Sequence, residues 1–271
     1  MTTLTATMPV PARRVINPAR AMRHSLSLAG RSIIRIRKNP ESLIDVTLQP
    51  ILFLVMFVFL FGGAISGNWH LYLQSLVPGL MVQNTLFASM GTGNSLSQDI
   101  SKGVFDRFRS LPIARSAPLV GAVLGDAVRF VVAMAILLGF ASILGFRVHT
   151  NPVFALLAVV LMIVAGLALC WLGVWVGMLL TSPTAAQGVM VAVMMPLTFG
   201  SNVFVPSSTM PGWLQAWTSI SPVSKLVDVA RGLMSGGPIA TPLLWAAIWM
   251  IGFAAVFFPL AMSAYRRRMA S

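Results

Sequence analysis

Residues 98–115 read QDISKGVFDRFRSLPIAR, a short polar island between two apolar runs, each long enough to form a membrane helix. The island carries Lys102, Arg107, Arg109 and Arg115 against only Asp99 and Asp106. Basic loops are retained on the cytoplasmic side of a membrane, so the island sets a topology as soon as the flanking runs are read as spans. Its internal order exceeds that of a passive loop. Ile100, Val104, Phe108 and Leu111 recur at spacings of 4, 4 and 3, which is one face of a helix. Lys102 with Asp106, and Asp106 with Arg109, stand at helix-surface pairing distances. Leu111-Pro112 ends the pattern, because a residue before proline avoids the helical region. The apolar stripe rests either on the chain's own bundle or in a groove of a soluble protein, and the residues leave both open.

Composition carries the same message over the whole chain. Of 271 residues, 57% are hydrophobic and 9% charged, whereas soluble domains run to about 25% charged. This is the composition of an all-α integral membrane protein. The formal charge of +13 raises a nucleic-acid reading, and position removes it. Fifteen of the 19 Lys and Arg lie in three patches beside apolar runs: before residue 39, in the island, and at Arg266, Arg267 and Arg268. The positive-inside bias accounts for them, with contact to anionic lipid headgroups as a consequence. The single Cys170, inside an apolar run, excludes an internal disulfide and a cysteine metal cluster, and reads as a small buried hydrophobe. Basic residues fill positions 13–38 before any apolar run begins, which is the wrong layout for a cleavable signal peptide.

Six spans follow from runs of about 20 apolar residues, at about 43–64, 71–97, 116–146, 152–180, 184–204 and 242–265. An even number puts both termini on one side. That side holds the basic leader, the island and the basic tail at 266–271, so both termini are expected in the cytoplasm; the other side receives Arg147, Lys225 and Arg231. Residues 1–12 are expected to be disordered. Residues 13–40 are expected to form an interfacial amphipathic helix, because Ala19, Met22, Leu26, Ala29, Ile33 and Ile36 share one face and arginines occupy much of the rest. Residues 41–265 make up the six-span domain.

Three further segments are candidates for mechanism. On the second span Asn84, Phe87, Gly91, Asn94 and Gln98 recur every 3 or 4 residues, with Ser95 beside them. Polar groups avoid lipid, so this face meets protein or water. It serves either interhelical hydrogen bonding or the lining of a substrate path. On the third span Asp126 and Arg129 stand one turn apart, as a structural ion pair or as a group that handles protons or substrate. Gly121-x-x-x-Gly125 and Gly173-x-x-x-Gly177 permit close helix approach. Between spans five and six, Pro211 opens a short helix carrying Trp213 and Trp217, and Pro222 opens a second carrying Val223, Leu226, Val227, Ala230 and Leu233 on one side and Lys225, Asp228 and Arg231 on another. Neither is long enough to span. Both are expected to lie in, or dip into, the outer leaflet.

The chain lacks a phosphate-cradling loop: its three lysines are Lys38, Lys102 and Lys225, and none follows glycine. His24, His70 and His149 fall on separate segments, and no nucleophile elbow or carboxylate pair is present. Neither catalysis nor a metal site is expected of this chain.

Together these features resemble the permease subunits of ABC type-2 exporters. KGVFDRFRSLPIAR looks like that family's cytoplasmic segment G-x-x-[DE]-R-[LF]-R-[ST]-[LM]-P. MPGWLQAWTSISPVSKLVDVARGL looks like its outer segment, and the interfacial leader helix is a third shared part. PESLIDVTLQPILF and FLFGGAISG look closer still to the actinobacterial daunorubicin/doxorubicin-resistance permeases, often called DrrB-like. Ser221-Pro222 stands where Asn-Pro is frequent, and Ile100-Ser101 where acidic residues are common.

The resemblance implies two copies of this chain paired with two copies of a separate ATPase that binds ATP and Mg, in a bacterial plasma membrane. It implies a coupling helix built on Gly103, Asp106, Arg107, Arg109, Leu111 and Pro112, with Val104 and Phe108 of the apolar stripe beside them. It also implies re-entrant outer helices closing the exit, with Trp213, Trp217, Pro222 and Arg231 at the gate, and a hydrophobic or amphipathic substrate, drug-like or lipid-like. The alternatives are a gradient-driven transporter using Asp126, an exporter of lipid-linked glycan, and a membrane anchor for a soluble protein.

Overall fold

The computed structural model describes residues 41–102, 117–180 and 182–270. The leader at 13–40, and the coupling residues Gly103, Val104, Asp106, Arg107, Phe108, Arg109, Leu111 and Pro112, lie outside the described residues. Within them the structure is helical: α1 Glu41–Ser66, α2 Trp69–Ser101, α3 Ala117–Ile143, α4 Pro152–Leu179, α5 Pro183–Phe199, α6 Gly212–Ile220, α7 Pro222–Ser235 and α8 Ala240–Ala270, with one 3-10 turn at Ser207–Thr209.

Short polar signals start these helices. Asn68 accepts the His70 amide at 2.8 Å to cap α2, and Asn151 accepts the Val153 amide at 3.0 Å to cap α4. Pro152, Pro183 and Pro222 occupy first-turn positions, where the missing N–H is not needed. The chain reverses between α1 and α2 at Gly67, and beyond α3 at Gly145. Both glycines adopt positive φ, at 67° and 101°.

Four helices among the described residues are long and apolar enough to cross a membrane: α1 over Leu48–Ser66, α3 over Leu119–Ile143, α4, and α8 over Ala240–Arg268. At 17 residues, α5 is apolar but shorter. The 33-residue α2 is too polar to qualify by composition, and the packing explains why it need not be apolar. It touches α1, α3, α4, α5 and α7, so it runs through the middle of the bundle. Gln83, Asn84, Thr85, Ser89, Thr92 and Ser97 are all buried along it. The peripheral helices show the reverse pattern. Phe154, Leu156, Leu157, Val160 and Val164 of α4 are exposed, as are Leu244, Ile248, Ile251 and Val256 of α8. Apolar surface on this scale marks a multi-pass membrane protein.

Helix ends depart from the limits of the apolar runs in several places: α3 stops at Ile143, short of residue 146, and α8 runs on to Ala270, past residue 265 and into the basic tail. The α2 helix continues through Ser101, so the start of the polar island is an extension of α2. The α5 helix stops at Phe199, before the apolar run ends at residue 204. Residues 200–204 form a turn whose Val203 and Phe204 are buried against the bundle. Their hydrophobicity belongs to the core rather than to a helix. Beyond the turn, α6 and α7 differ in depth. Trp213 of α6 is 74% exposed, whereas Val227, Val229, Ala230 and Met234 of α7 are inaccessible. The α7 helix packs on α2, α4 and α8.

Candidate functional site

Along α2, Asn84, Phe87, Gly91 and Asn94 share one helical face, and all four line a cavity of about 390 Å³. Gln49 of α1, Arg129 of α3, Gly173 and Gly177 of α4, and Gln187, Met190 and Met195 of α5 complete much of the wall. Ser95 is not part of it; its hydroxyl donates to the Thr92 carbonyl at 3.0 Å within the same helix. The wall mixes amides and one guanidinium with thioethers and a phenyl ring. Such a surface holds a drug-sized body by apolar contact and orients it by a few polar groups. The volume falls within the range of such pockets, about 300–1,000 Å³.

Close helix crossing shapes the cavity. A Cβ on Gly93 would stand 2.1 Å from the Gly173 carbonyl oxygen, and one on Gly177 would stand 2.4 Å from that of Gly93. Backbone against backbone, α2 and α4 cross without side chains between them. The Gly173/Gly177 spacing was legible in the sequence; its counterpart Gly93 was not singled out.

Asp126 and Arg129 meet, with Arg129 Nη1 donating to Asp126 Oδ1 at 3.2 Å. The Thr92 hydroxyl donates to Asp126 Oδ2 and stands 3.1 Å from Cys170 Sγ. Both carboxylate oxygens are thus occupied; Asp126 ties α3 to α2, and Thr92 in turn links α2 to α4. The guanidinium lies against Gly91, where a Cβ would come within 2.6 Å of Nη1. Sequence reasoning found the pair but missed Thr92, Gln49 and Gln187. A polar residue beside an apolar run was the available signal for Gln49 and Gln187; Thr92 is one of several polar residues in Gly91–Ser95 and carried no such signal.

At the other end of the bundle, Arg231 of α7 donates from Nε to the Ser75 carbonyl at 3.1 Å and from Nη2 to the Asn202 carbonyl at 2.8 Å. Asn202 Nδ2 donates to Asp228 Oδ1 at 2.7 Å, so α7 grips the 200–204 turn twice. The Tyr72 hydroxyl donates to the Phe204 carbonyl at 2.8 Å. Gly79 admits Val203 so closely that a Cβ there would stand 2.3 Å from its oxygen. Pro222 begins α7, and Leu226 and Trp249 meet it around a small apolar gap. Trp213 and Trp217 sit on the exposed α6; Trp217 borders the 200–204 turn, its Nε1 standing 3.6 Å from where a Cβ on Gly200 would lie.

A family model described as ABC-2 type transporter matches residues 24–235, which run from the leader through α7. The chain belongs to the ABC-2 type transporter family. Among individual relatives, a daunorubicin resistance ABC transporter permease protein (DrrB1) from Streptomyces coeruleorubidus is 39% identical over 93% of this chain and 90% of its own. A probable doxorubicin resistance ABC transporter permease protein (DrrC) from Mycobacterium tuberculosis is 26% identical over 90% of this chain and 88% of its own. A putative transport permease (ycf38) from Cyanophora paradoxa is 26% identical over 77% of this chain and 73% of its own. The family segment therefore contains both the island and the outer helices, along with every cavity-lining residue named above.

Proposed function

We propose that this chain is the permease subunit of an ATP-driven exporter that moves a hydrophobic or amphipathic, drug-like substrate out of the cell. The 39% identity over nearly the full length of a protein named for daunorubicin resistance carries the reading. In this account the chain spans a bacterial plasma membrane six times with both termini in the cytoplasm. Two copies pair with two copies of a separate ATPase, which holds ATP and Mg; this chain contributes no catalytic group. The basic island docks in a groove of the ATPase through Gly103, Val104, Asp106, Arg107, Phe108, Arg109, Leu111 and Pro112. Substrate enters along Asn84, Phe87, Gly91 and Asn94. The outer helices, including Trp213, Trp217, Pro222 and Arg231, close the exit. A cavity of about 390 Å³ favours a drug-sized body over a lipid-linked glycan.

The test is Arg107→Glu with Arg109→Glu in cells expressing the chain with its ATPase. Charge reversal at a docking helix should leave membrane insertion intact, abolish efflux, and strip the ATPase from the purified permease. Normal efflux with normal ATPase co-purification would sink the assignment. Proton-dependent flux without any bound ATPase would favour the gradient-driven alternative.

A further inference from the structure

Among the described residues that line the cavity, Arg129 is the only charged side chain, and its orientation is fixed. Asp126, its partner, is turned the other way, with one oxygen on Arg129 and the other on Thr92. The pair is neutral as a whole, yet it presents its positive end to the cavity. Only Nη1 of the guanidinium is spent on Asp126; the other N–H groups make no hydrogen bond among the described residues. Asn84 adds a second donor. It is 8% exposed, lines the same cavity, and its Nδ2 is buried without an acceptor. Buried polar atoms are nearly always satisfied, so an orphan donor on a cavity-lining residue calls for an acceptor that the described residues do not supply.

We propose that this cavity holds an anion subsite, in which Arg129 and Asn84 receive the carboxylate or phosphate head of an amphiphile whose apolar body rests on Phe87, Met90 and Met190. The planar guanidinium matches two acid oxygens at once. Asn94 Oδ1, also buried and unpartnered, takes a hydroxyl neighbouring the acid group. Asp126 and Thr92 are positioning residues: they hold the guanidinium against Gly91 and do not touch the ligand. The assignment rests on the reading of the cavity as the substrate's path and narrows that substrate to an acidic amphiphile.

The experiment uses the full chain in neutral phosphatidylcholine nanodiscs, with a fluorescent single-chain carboxylate and its methyl ester as probes. The carboxylate should bind about tenfold or more tightly than the ester, as charge-assisted hydrogen bonds require. Arg129→Gln combined with Asp126→Asn removes both charges without orphaning either, and should bring the ratio of the two affinities to about one. Arg129→Lys should retain part of the preference. Equal binding of both probes to the unaltered chain, or a preference that survives the double variant, overturns the subsite. Val191→Trp, which fills the cavity, separates this failure from that of the cavity reading. If it displaces both probes while the preference is absent, only the subsite falls; if it displaces neither, both fall. Discs containing phosphatidylglycerol then identify the source of the head. Competition beyond that seen with the double variant points to a bilayer lipid, and its absence to a free acidic amphiphile.

Discussion

Gly177 of α4 faces Gly93 of α2 so closely that a methyl group on Gly177 would stand 2.4 Å from the Gly93 carbonyl oxygen. The obstacle is backbone, which cannot rotate away as a side chain does. Gly93→Ala and Gly177→Ala should each force α2 and α4 apart at a cost of about 1–3 kcal/mol. Gly188→Ala, with nothing within 4 Å of its Cβ, should be neutral or better. Thermal unfolding in detergent measures the difference, and equal midpoints for all three would refute the close crossing.

Asp126→Asn leaves the Arg129 guanidinium without its counter-charge. Breaking a fully buried pair costs about 3–5 kcal/mol; here the side chains are 20% and 13% exposed, so the loss should fall at or below the low end. Adding Arg129→Gln should restore part of it, because no unpaired charge remains. A double-mutant cycle read by unfolding gives the coupling directly. Additive losses would show that the pair is not a unit.

Arg231→Met should loosen the 200–204 turn while sparing the far end of the bundle. The substitution keeps much of the side-chain volume and removes donors to the Ser75, Asn202 and Val203 carbonyls. Hydrogen bonds from a charged group contribute about 1.5–3 kcal/mol. Hydrogen exchange should rise by one to two orders of magnitude at amides of 200–206 and stay unchanged in α3. Uniform change across the bundle would contradict a local staple.

Asn84→Ala and Phe87→Ala should weaken transport of a given substrate by raising its half-saturating concentration, with little effect on folding, since both face the cavity. Ser95→Ala should not, because among the described residues the Ser95 hydroxyl bonds within its own helix and lies outside the cavity wall. Efflux measured over a range of substrate concentrations distinguishes the two. Equal effects at all three positions would detach the cavity from transport.

Much of this was legible in the residues. Apolar runs gave the long helices, because hydrocarbon demands both length and satisfied backbone. The stripe at residues 84, 87, 91 and 94 placed four side chains on one face, because helical periodicity is local. The extent of α5 was harder to read. Val203 and Phe204 are as apolar as a span residue, yet they sit in a turn held by Arg231, Tyr72 and Gly79, none of them near in sequence.

The sequence by itself determined the membrane class, the basic segments and the spacing of the polar face, since each depends on residues within a few turns of one another. Only the tertiary structure decided that α2 runs through the middle of the bundle, that Gly93 meets Gly177, and that Arg129 rather than Asp126 faces the cavity. The reason is geometric. Asp126 and Arg129 are three residues apart on one helix, and the choice between them is made by Thr92 and Gly91, contributed by another helix.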